Sequence, residues 1–356
     1  MPSYVTHKDS QPIPCFGAGL PGGGSPTREP SASTTPDSPV LFLFASQDGE
    51  TPVQAVFFNS GSIDPEPCEL DVVRLETDVF SRLKGIFGTN VLASKVVCVI
   101  GVGSGGSTGA LELAKSGVGN FILVDFDRLR AHNVSRHVCG LADVGRYKTR
   151  AVRDIILQHN PSASVQCHEA NITEDDDLLA GIVAQSELVF AATDNELSRY
   201  LINEACLEAG KPAVYGGVYG RAFAGEVIRV IPGEAGCYAC ARQGLANTMR
   251  SISTQQVFDY TDDSEFQAEP GLGLDVAFIS MIHTKVALMT LLRGTESSIG
   301  DIDAEMVLWT NTARPQGGEL FGRAMTRYLV RVAKSENCPA CGMDSEPLPD
   351  PDDGQA

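Results

Sequence analysis

The feature that most constrains the fold is an apolar run followed at once by a glycine-rich turn. Val96–Ile100 is continuously apolar, as expected for a strand buried on both faces, and GVGSGG then leads into a predicted helix ending near Ser116. Glycines permit the tight bend and the approach of backbone N–H groups to a phosphate, and a helix N-terminus adds a favourable dipole. The predicted phosphate-binding glycines are Gly101, Gly103, Gly105 and Gly106. The unit predicts a nucleotide-binding α/β fold.

The alternation of strands and helices continues towards the C-terminus. Further strands are predicted at Phe121–Val124, Ser164–Cys167, Leu188–Ala191, Ala213–Tyr215, Glu226–Ile231, Glu305–Trp309 and Arg327–Val332. Helices are predicted at 70–93, Lys148–His159, Glu196–Ala209 and Asp275–Arg293. This pattern indicates a Rossmann-like, doubly wound α/β sheet that is mostly parallel, with additional C-terminal antiparallel strands. The polar stretch 243–272 is predicted to be a long functional loop.

The two ends of the chain differ from this core in composition. Residues 1–39 are rich in Pro, Ser, Gly and Thr, and residues 344–356 are acidic and rich in Pro, so both segments are predicted to be disordered. Residues 40–69 are predicted to form a short, appended, hairpin-like element, because VLFLFA and VQAVFF flank a turn with Asp48-Gly49. Residues 70–343 are then predicted to form the main domain.

Charge and hydropathy exclude several classes of function. The net charge is −18 and no basic cluster occurs, which argues against nucleic acid and anionic membranes as partners. No apolar stretch reaches the ~18 residues that span a bilayer, and the N-terminus lacks a signal-peptide pattern. The expected location is therefore cytoplasmic. In that setting the 10 cysteines favour metal binding or buried thiols over disulfides.

Charged residues follow the glycine turn in an order that suits phosphoryl chemistry. Asp125 ends the next predicted strand, where a carboxylate can accept hydrogen bonds from ribose hydroxyls. Negative charge builds on phosphates under attack, and Arg136 and Lys148 are the cations predicted to neutralise it. Asp194, after another buried strand, is a predicted Mg²⁺ ligand. An NAD(P)- or FAD-dependent oxidoreductase would explain only the turn and Asp125, and a non-catalytic scaffold subunit would not need the full charged set.

The ordered motifs resemble adenylyltransferases of the MoeB/ThiF/HesA type, in the ubiquitin-activating superfamily, from about Phe80 to Cys341. The matching motifs are GVGSGG, DFD at Asp125–Asp127, NVSR at Asn133–Arg136, Lys148, and TDN with Asp194 and Asn195. Arg199 and Asn203 also follow at the spacing that the family uses. One position departs from the family, because His137 stands where a glutamine is usual.

The resemblance implies a role for each matched residue. Asp125 and Asp127 are expected to contact the ribose and the metal–phosphate surroundings, and Asn133, Arg136 and Lys148 the phosphates. Asp194 is expected to bind Mg²⁺, with Asn195 beside the nucleotide. In prokaryotic members an arginine before the first strand reaches the partner subunit's ATP. Arg82 stands at about that place, with Arg74 close by, which implies a homodimer.

The resemblance also implies a reaction and its partner. ATP- and Mg²⁺-dependent activation would convert the C-terminal glycine carboxylate of a small protein into an acyl-adenylate and release pyrophosphate. The expected partner is a ubiquitin-like or sulfur-carrier protein ending in Gly-Gly. Two variants remain open, which are adenylation of a peptide and ubiquitin-like conjugation with a thioester step.

Two C-x-x-C pairs predict a structural zinc site. The four thiols belong to Cys237, Cys240, Cys338 and Cys341. Four thiolates complete a tetrahedral shell and leave no open position, so Zn²⁺ at this site is expected to be structural rather than catalytic. MoeB and ThiF relatives have such a split site, which implies that it ties the C-terminal strand back to the domain.

The remaining cysteines offer no strong thioester candidate. The stretch 243–272, where some relatives carry that cysteine, contains none. Cys98 and Cys206 are predicted to be core residues, Cys167 lies near a strand end, and Cys15 and Cys68 lie in or near segments of low order. Cys139 alone is expected near the nucleotide, and there a small apolar filler is the favoured interpretation. The sequence therefore predicts adenylation without an enzyme thioester.

Overall fold

The computed structural model describes residues 3–5, 13–15, 40–44, 54–58, 66–68, 79–88, 90–251, 271–314 and 318–342. The chain divides into two compact units, Met1–Ser81 and Arg82–Ala356. The disorder predicted for 1–39 and 344–356 falls outside the described residues, apart from two short strands near the N-terminus. The boundary predicted at residue 70 remains a prediction.

The described residues of the first unit form five short strands. They are β1 (Ser3–Val5), β2 (Ile13–Cys15), β3 (Val40–Phe44), β4 (Gln54–Phe58) and β5 (Glu66–Cys68). The strands β1 and β2 pair antiparallel, and β3, β4 and β5 form an antiparallel sheet in that order. Val40 pairs with Phe58, which confirms the antiparallel pairing of the predicted hairpin strands, whereas the turn predicted at Asp48-Gly49 lies outside the described residues and β5 was not predicted.

An eight-stranded sheet organises the second unit. Its strands are β6 (Val96–Ile100), β7 (Asn120–Val124), β8 (Ser164–His168), β9 (Leu188–Ala191), β10 (Ala213–Val218), β11 (Ala224–Val230), β12 (Met306–Thr310) and β13 (Thr326–Val330). The spatial order is β13-β12-β11-β10-β9-β6-β7-β8. The five strands from β10 to β8 are parallel and the three from β11 to β13 are antiparallel, which confirms the predicted fold class.

Helices cover both faces of this sheet. They are α1 (Ser104–Lys115), α2 (Lys148–His159), α3 (Asp176–Gln185), α4 (Glu196–Glu208), α5 (Tyr238–Ser251), α6 (Gly273–Leu291) and the short α7 (Gly318–Phe321). One core lies between the sheet and α1, α2 and α6, and a second lies between the opposite face and α3, α4 and α5. The strands β6 and β9 contribute side chains to both cores, which explains their continuous apolar sequences.

Helix α6 is the only helix among the described residues that is long and apolar enough to cross a membrane. The mean hydropathy of its most apolar window is 1.5, and 56% of that window is buried inside the protein. It packs against α1, β10 and β11. Its apolar composition is therefore explained by burial against the sheet, as in a core helix.

Several parts of the chain differ from the sequence predictions. The helix predicted over 70–93 is wrong from residue 79 onwards, where a 3₁₀ turn at Ser81–Leu83 and further turns lead to β6. Gly85 has φ 89°, which ends any right-handed helix at that point. The loop predicted over 243–272 is wrong up to Ser251, because α5 extends that far, and residues 252–270 lie outside the described part. Helix α3 was not predicted, although the carboxylate of Asp175 caps it by accepting the Leu178 N–H at 2.9 Å.

The topology predicts a crevice at the carboxyl ends of the parallel strands. The strand β6 lies between β7 and β9, so the connections that leave the carboxyl ends of β6 and β9 go to opposite faces. Ligands of doubly wound sheets bind at such a switch point. The glycine turn follows β6 and Asp194 follows β9, so both reach this crevice.

Candidate functional site

The glycine turn between β6 and α1 has little room for side chains on its inner side. Gly101 has φ 87°, and a Cβ there would lie 2.7 Å from the Ala192 carbonyl oxygen. A Cβ on Gly106 would lie 1.8 Å from the carbonyl oxygen of Gly101. On Gly103, the residue that precedes α1, a Cβ would meet no described atom within 4 Å. The inner side of the turn is therefore closed by packing, and its open side can admit a ligand.

Asp125 fixes the turn from the end of the neighbouring strand β7. Its Oδ2 accepts the Val102 N–H at 2.7 Å, and its Oδ1 accepts the Asp127 N–H at 2.8 Å. The side chain is only 10% exposed. Burial raises the pKa of Asp125, and the Lys148 ammonium and the two N–H donors oppose that shift. Asp125 thus shapes the glycine turn in addition to any contact with a ribose.

Lys148 lies beside both predicted acids. It is the first residue of α2, and its Nζ lies 2.6 Å from Asp127 Oδ2 and 3.7 Å from Asp125 Oδ1. Only 11% of the side chain is exposed, whereas that of Asp127 is 49% exposed. The structure therefore brings together the two acids and the lysine that sequence reasoning placed in one site, with the ammonium held near the glycine turn.

His137 makes a pair of contacts that sequence reasoning missed. Its Nδ1 accepts the Cys139 N–H at 3.1 Å, so Nε2 carries the proton and donates to the Val102 carbonyl oxygen at 3.0 Å. Burial lowers the pKa of His137, which favours this neutral form. With Asp125 on its N–H and His137 on its carbonyl, Val102 is held from both sides. The residue that departs from the family pattern therefore positions the glycine turn.

The segment from Asn133 to Arg136 forms the next wall of the site. The side-chain oxygen of Asn133 accepts the Arg130 N–H at 2.9 Å, and its carbonyl accepts the Arg136 N–H at 2.9 Å. Arg136 is half-buried, and a Cβ on Gly273 would lie 3.3 Å from its Cα. The start of α6 therefore packs directly on the predicted phosphate-binding arginine.

Asp194 lies exposed in the turn between β9 and α4. Asn195 caps α4 through its side-chain oxygen, which accepts the Ser198 N–H at 3.3 Å. The buried Arg199 donates to the Thr193 carbonyl from Nε at 3.0 Å and from Nη2 at 2.7 Å. The turn is thus anchored by its own helix while the carboxylate of Asp194 faces solvent at the crevice.

The other predicted residues are placed as follows. Arg82 is exposed in the 3₁₀ turn that begins the second unit, and its reach across a dimer remains a prediction. Cys139 is 2% exposed, and burial raises its pKa to about 12, so its thiol is protonated at neutral pH. Cys98 and Cys206 are fully buried, which confirms both as core residues.

The two C-x-x-C pairs meet in one cluster. The four sulfur atoms lie within 4.8 Å of one another, with 3.6 Å from Cys237 to Cys338 and 3.5 Å from Cys240 to Cys341. Tetrahedral Zn²⁺ with Zn–S bonds of about 2.3 Å places its sulfurs about 3.8 Å apart. Cys240 Sγ also accepts the Ser335 N–H at 3.5 Å, as thiolate ligands commonly do. The donor set and its spacing fit a tetrahedral zinc ion.

Comparison with known proteins gives one family. The model of the ThiF family matches residues 79–311. The SAMP-activating enzyme E1 of Haloferax volcanii is 30% identical over 258 residues, which cover 72% of this chain and 83% of that protein. A crystal structure of E. coli MccB with ATP superposes with a TM-score of 0.53 at 19% identity, over 71% of this chain and 68% of that one, which shows a shared fold.

Other relatives match over shorter lengths. The probable adenylyltransferase/sulfurtransferase MoeZ of Mycobacterium tuberculosis is 40% identical over 136 residues, 38% of this chain and 34% of that protein. Ubiquitin-like modifier-activating enzyme 5 of Dictyostelium discoideum is 32% identical over 154 residues, 40% of each chain. The chain thus spans well under half the length of these two relatives.

Proposed function

Because this chain belongs to the ThiF family, we propose that it is an ATP- and Mg²⁺-dependent adenylyltransferase that activates the C-terminal carboxylate of a small protein. The observation that carries the proposal is a connected set of contacts at the glycine turn. Asp125 accepts a hydrogen bond from the turn, and Lys148 pairs with both Asp125 and Asp127. Asp194 reaches the same crevice from β9. This is the combination of phosphate cradle, cation and metal-binding carboxylate that phosphoryl chemistry requires.

The roles of the individual residues follow from this arrangement. The open side of the turn at Gly103 would receive phosphates on backbone N–H groups. Lys148 and Arg136 would neutralise charge on the α-phosphate and the leaving pyrophosphate. Asp194 would hold Mg²⁺, which when bound supplies further charge neutralisation. Asp127, half-exposed and paired with Lys148, would contact the ribose or the metal–phosphate surroundings.

The reaction needs no general base. A C-terminal carboxylate has a pKa of about 3.5 and is ionised at neutral pH. One of its oxygens would attack the α-phosphorus of ATP in line, forming the O–P bond of an acyl-adenylate while the bond from that phosphorus to the pyrophosphate oxygen breaks. Catalysis would then consist of positioning and charge neutralisation, which the buried and fixed Lys148 suits.

Adenylation without a thioester on this chain is the form of the reaction that we favour. The protonated, buried thiol of Cys139 is a poor nucleophile. The sequence 243–272 has no cysteine. A conjugation pathway would then need a cysteine on a separate protein, and a peptide substrate in place of a carrier protein remains the alternative.

The proposed partner is a ubiquitin-like or sulfur-carrier protein that ends in Gly-Gly. Support comes from relatives named for activating a SAMP protein and a ubiquitin-like modifier. A homodimer in which Arg82 contacts the partner subunit's ATP, and a cytoplasmic location, stay predictions. The dinucleotide oxidoreductase considered from the sequence loses its support, since the family accounts for the glycine turn together with all the charged motifs.

The proposed zinc ion is structural. It would tie the segment after β13 to the start of α5 and leave no coordination position for substrate. Its role would be to link the segment at Cys237 to the segment at Cys341 and so to close the loop of chain between them.

Replacement of Asp194 tests the proposal. Asp194→Ala should abolish ATP–pyrophosphate exchange, because the metal ligand is lost, while zinc content stays at the wild-type value. Asp303→Ala is a matched control, since Asp303 is 86% exposed and its partner among the described residues is Arg331. Wild-type exchange in Asp194→Ala would refute the assignment.

A further inference from the structure

The carboxylate next to the Asp194–Asn195 pair is held by side chains from another helix. Glu196 is the first residue of α4. Its Oε2 accepts the Tyr238 hydroxyl at 3.1 Å, and its Oε1 accepts Arg242 Nε at 3.0 Å, and both donors come from α5. Arg199 Nη1 lies 3.8 Å from the same carboxylate. The start of α4, and with it the turn that carries Asp194, is therefore joined to α5.

Arg242 is itself fixed from behind by a buried acid. Its Nη1 donates to Glu226 Oε1 at 2.9 Å, and Glu226 is 3% exposed in the middle of β11. Glu226 also accepts the Tyr219 hydroxyl at 2.7 Å. A buried carboxylate requires such partners, since an unpaired one would be strongly destabilising. The guanidinium is thereby oriented so that Nε faces Glu196.

The helix that carries these donors also carries the cysteine cluster at its start. Cys237 immediately precedes α5 and Cys240 lies in its first turn, between Tyr238 and Arg242. Tyr238 is fully buried, and its N–H donates to Asn203 in the middle of α4 at 3.0 Å. The two donors to Glu196 therefore lie at the start of α5, which is held in place by the cysteine cluster and by the hydrogen bond to Asn203.

We propose that Glu196 is a positioning residue through which Tyr238 and Arg242 hold the Asp194–Asn195 turn in the geometry that binds Mg²⁺–ATP. The inference rests on the proposed function and names residues outside the motifs that define it. In this proposal Glu196 acts through its protein contacts and not through a contact to substrate or metal. Its carboxylate fixes the first turn of α4, where backbone groups lack intrahelical partners and fray readily.

The size of the expected effect follows from exposure. The Glu196 side chain is 45% exposed and that of Arg242 is 27% exposed. Partly exposed pairs of this kind contribute up to about a fivefold factor in an equilibrium constant. We therefore expect Glu196→Gln to raise the Mg²⁺ concentration for half-maximal ATP binding about fivefold, and to lower the melting temperature without nucleotide by no more than about 4 °C.

A surface ion pair elsewhere in the chain provides the control. Glu234 is 51% exposed and lies 2.7 Å from Arg293 Nη1, so it matches Glu196 in exposure and partner. It follows β11, which runs antiparallel to β10, so it lies at the end of the strands opposite the crevice. Glu234→Gln should leave the Mg²⁺ requirement at the wild-type value.

A second variant separates positioning from the charge of Glu196 itself. Tyr238→Phe removes one donor to Glu196 and leaves the buried ring in place. It should also raise the Mg²⁺ requirement, and the double variant Tyr238→Phe/Glu196→Gln should show no further rise over Glu196→Gln alone. These equilibria would be measured by calorimetric titration of ATP into the full chain across a Mg²⁺ series.

The outcomes distinguish this inference from the proposed function. An unchanged Mg²⁺ requirement in Glu196→Gln, or additive effects of the two changes, would overturn the positioning role. The proposed function would still stand in that case, provided that the wild-type chain binds Mg²⁺–ATP. A wild-type chain that binds no ATP at any Mg²⁺ concentration would overturn the proposed function, and with it this inference.

Discussion

Loss of one cysteine of the proposed zinc cluster should destabilise the whole second unit. Cys341→Ser removes one of four sulfur ligands that lie within 4.8 Å of one another. An intact zinc site would close a loop of about 100 residues, from Cys237 to Cys341. A cross-link that closes a loop of that size lowers the conformational entropy of the unfolded chain and so raises the free energy of unfolding by about 4.7 kcal/mol. For a unit of this size that free energy corresponds to a fall in melting temperature of about 10–20 °C.

Thermal unfolding combined with zinc analysis measures this effect. We expect purified Cys341→Ser to hold less than one zinc per chain and to melt well below wild type. Cys167→Ser is the matched control, because Cys167 lies on β8 outside the cluster and should affect neither quantity. Full zinc content and a wild-type melting temperature in Cys341→Ser would refute the proposed coordination.

Two further predictions concern the glycine turn. Gly106→Ala should lower stability by about 1–3 kcal/mol, because its methyl group would overlap the Gly101 carbonyl, whereas Gly103→Ala should keep the wild-type melting temperature and weaken only ATP binding. Thermal unfolding with and without ATP separates these outcomes, and equal stability of both variants would contradict the packing. Because burial lowers the pKa of His137, its neutral form contributes stability above the ordinary histidine value of about 6.5, and that contribution is lost as pH falls further. The stability of wild type should therefore decline more steeply below pH about 6.5 than that of His137→Gln, and parallel pH profiles would contradict it.

Much of the architecture could be predicted because local pattern and tertiary role coincide. The strand β9 is apolar at every position and buried on both faces, and the predicted and observed bounds of β9 and α2 are the same. The glycine turn was recognisable for a related reason. Its steric demands at Gly101 and Gly106 arise within a few residues of sequence, so they leave a local signature.

Features that depend on distant partners left weaker signals. The polar sequence of α5 favoured a loop, yet Ala241 and Leu245 pack into the core beneath it, and this tertiary burial outweighs the helix cost of Gly244. The bond from His137 to Val102 joins residues 35 positions apart, and those of Glu196 to α5 span more than 40. A single sequence contains no periodic pattern that would indicate such pairs.

ATP–pyrophosphate exchange tests the central claim most directly. Wild-type chain would be assayed with Mg²⁺, with and without small carrier proteins ending in Gly-Gly, and with the same carriers lacking the terminal glycine. We predict exchange that requires both Mg²⁺ and an intact carrier terminus, because the terminal carboxylate is the attacking group. Absence of exchange with every carrier, in a chain that binds Mg²⁺–ATP, would contradict activation of a carrier protein.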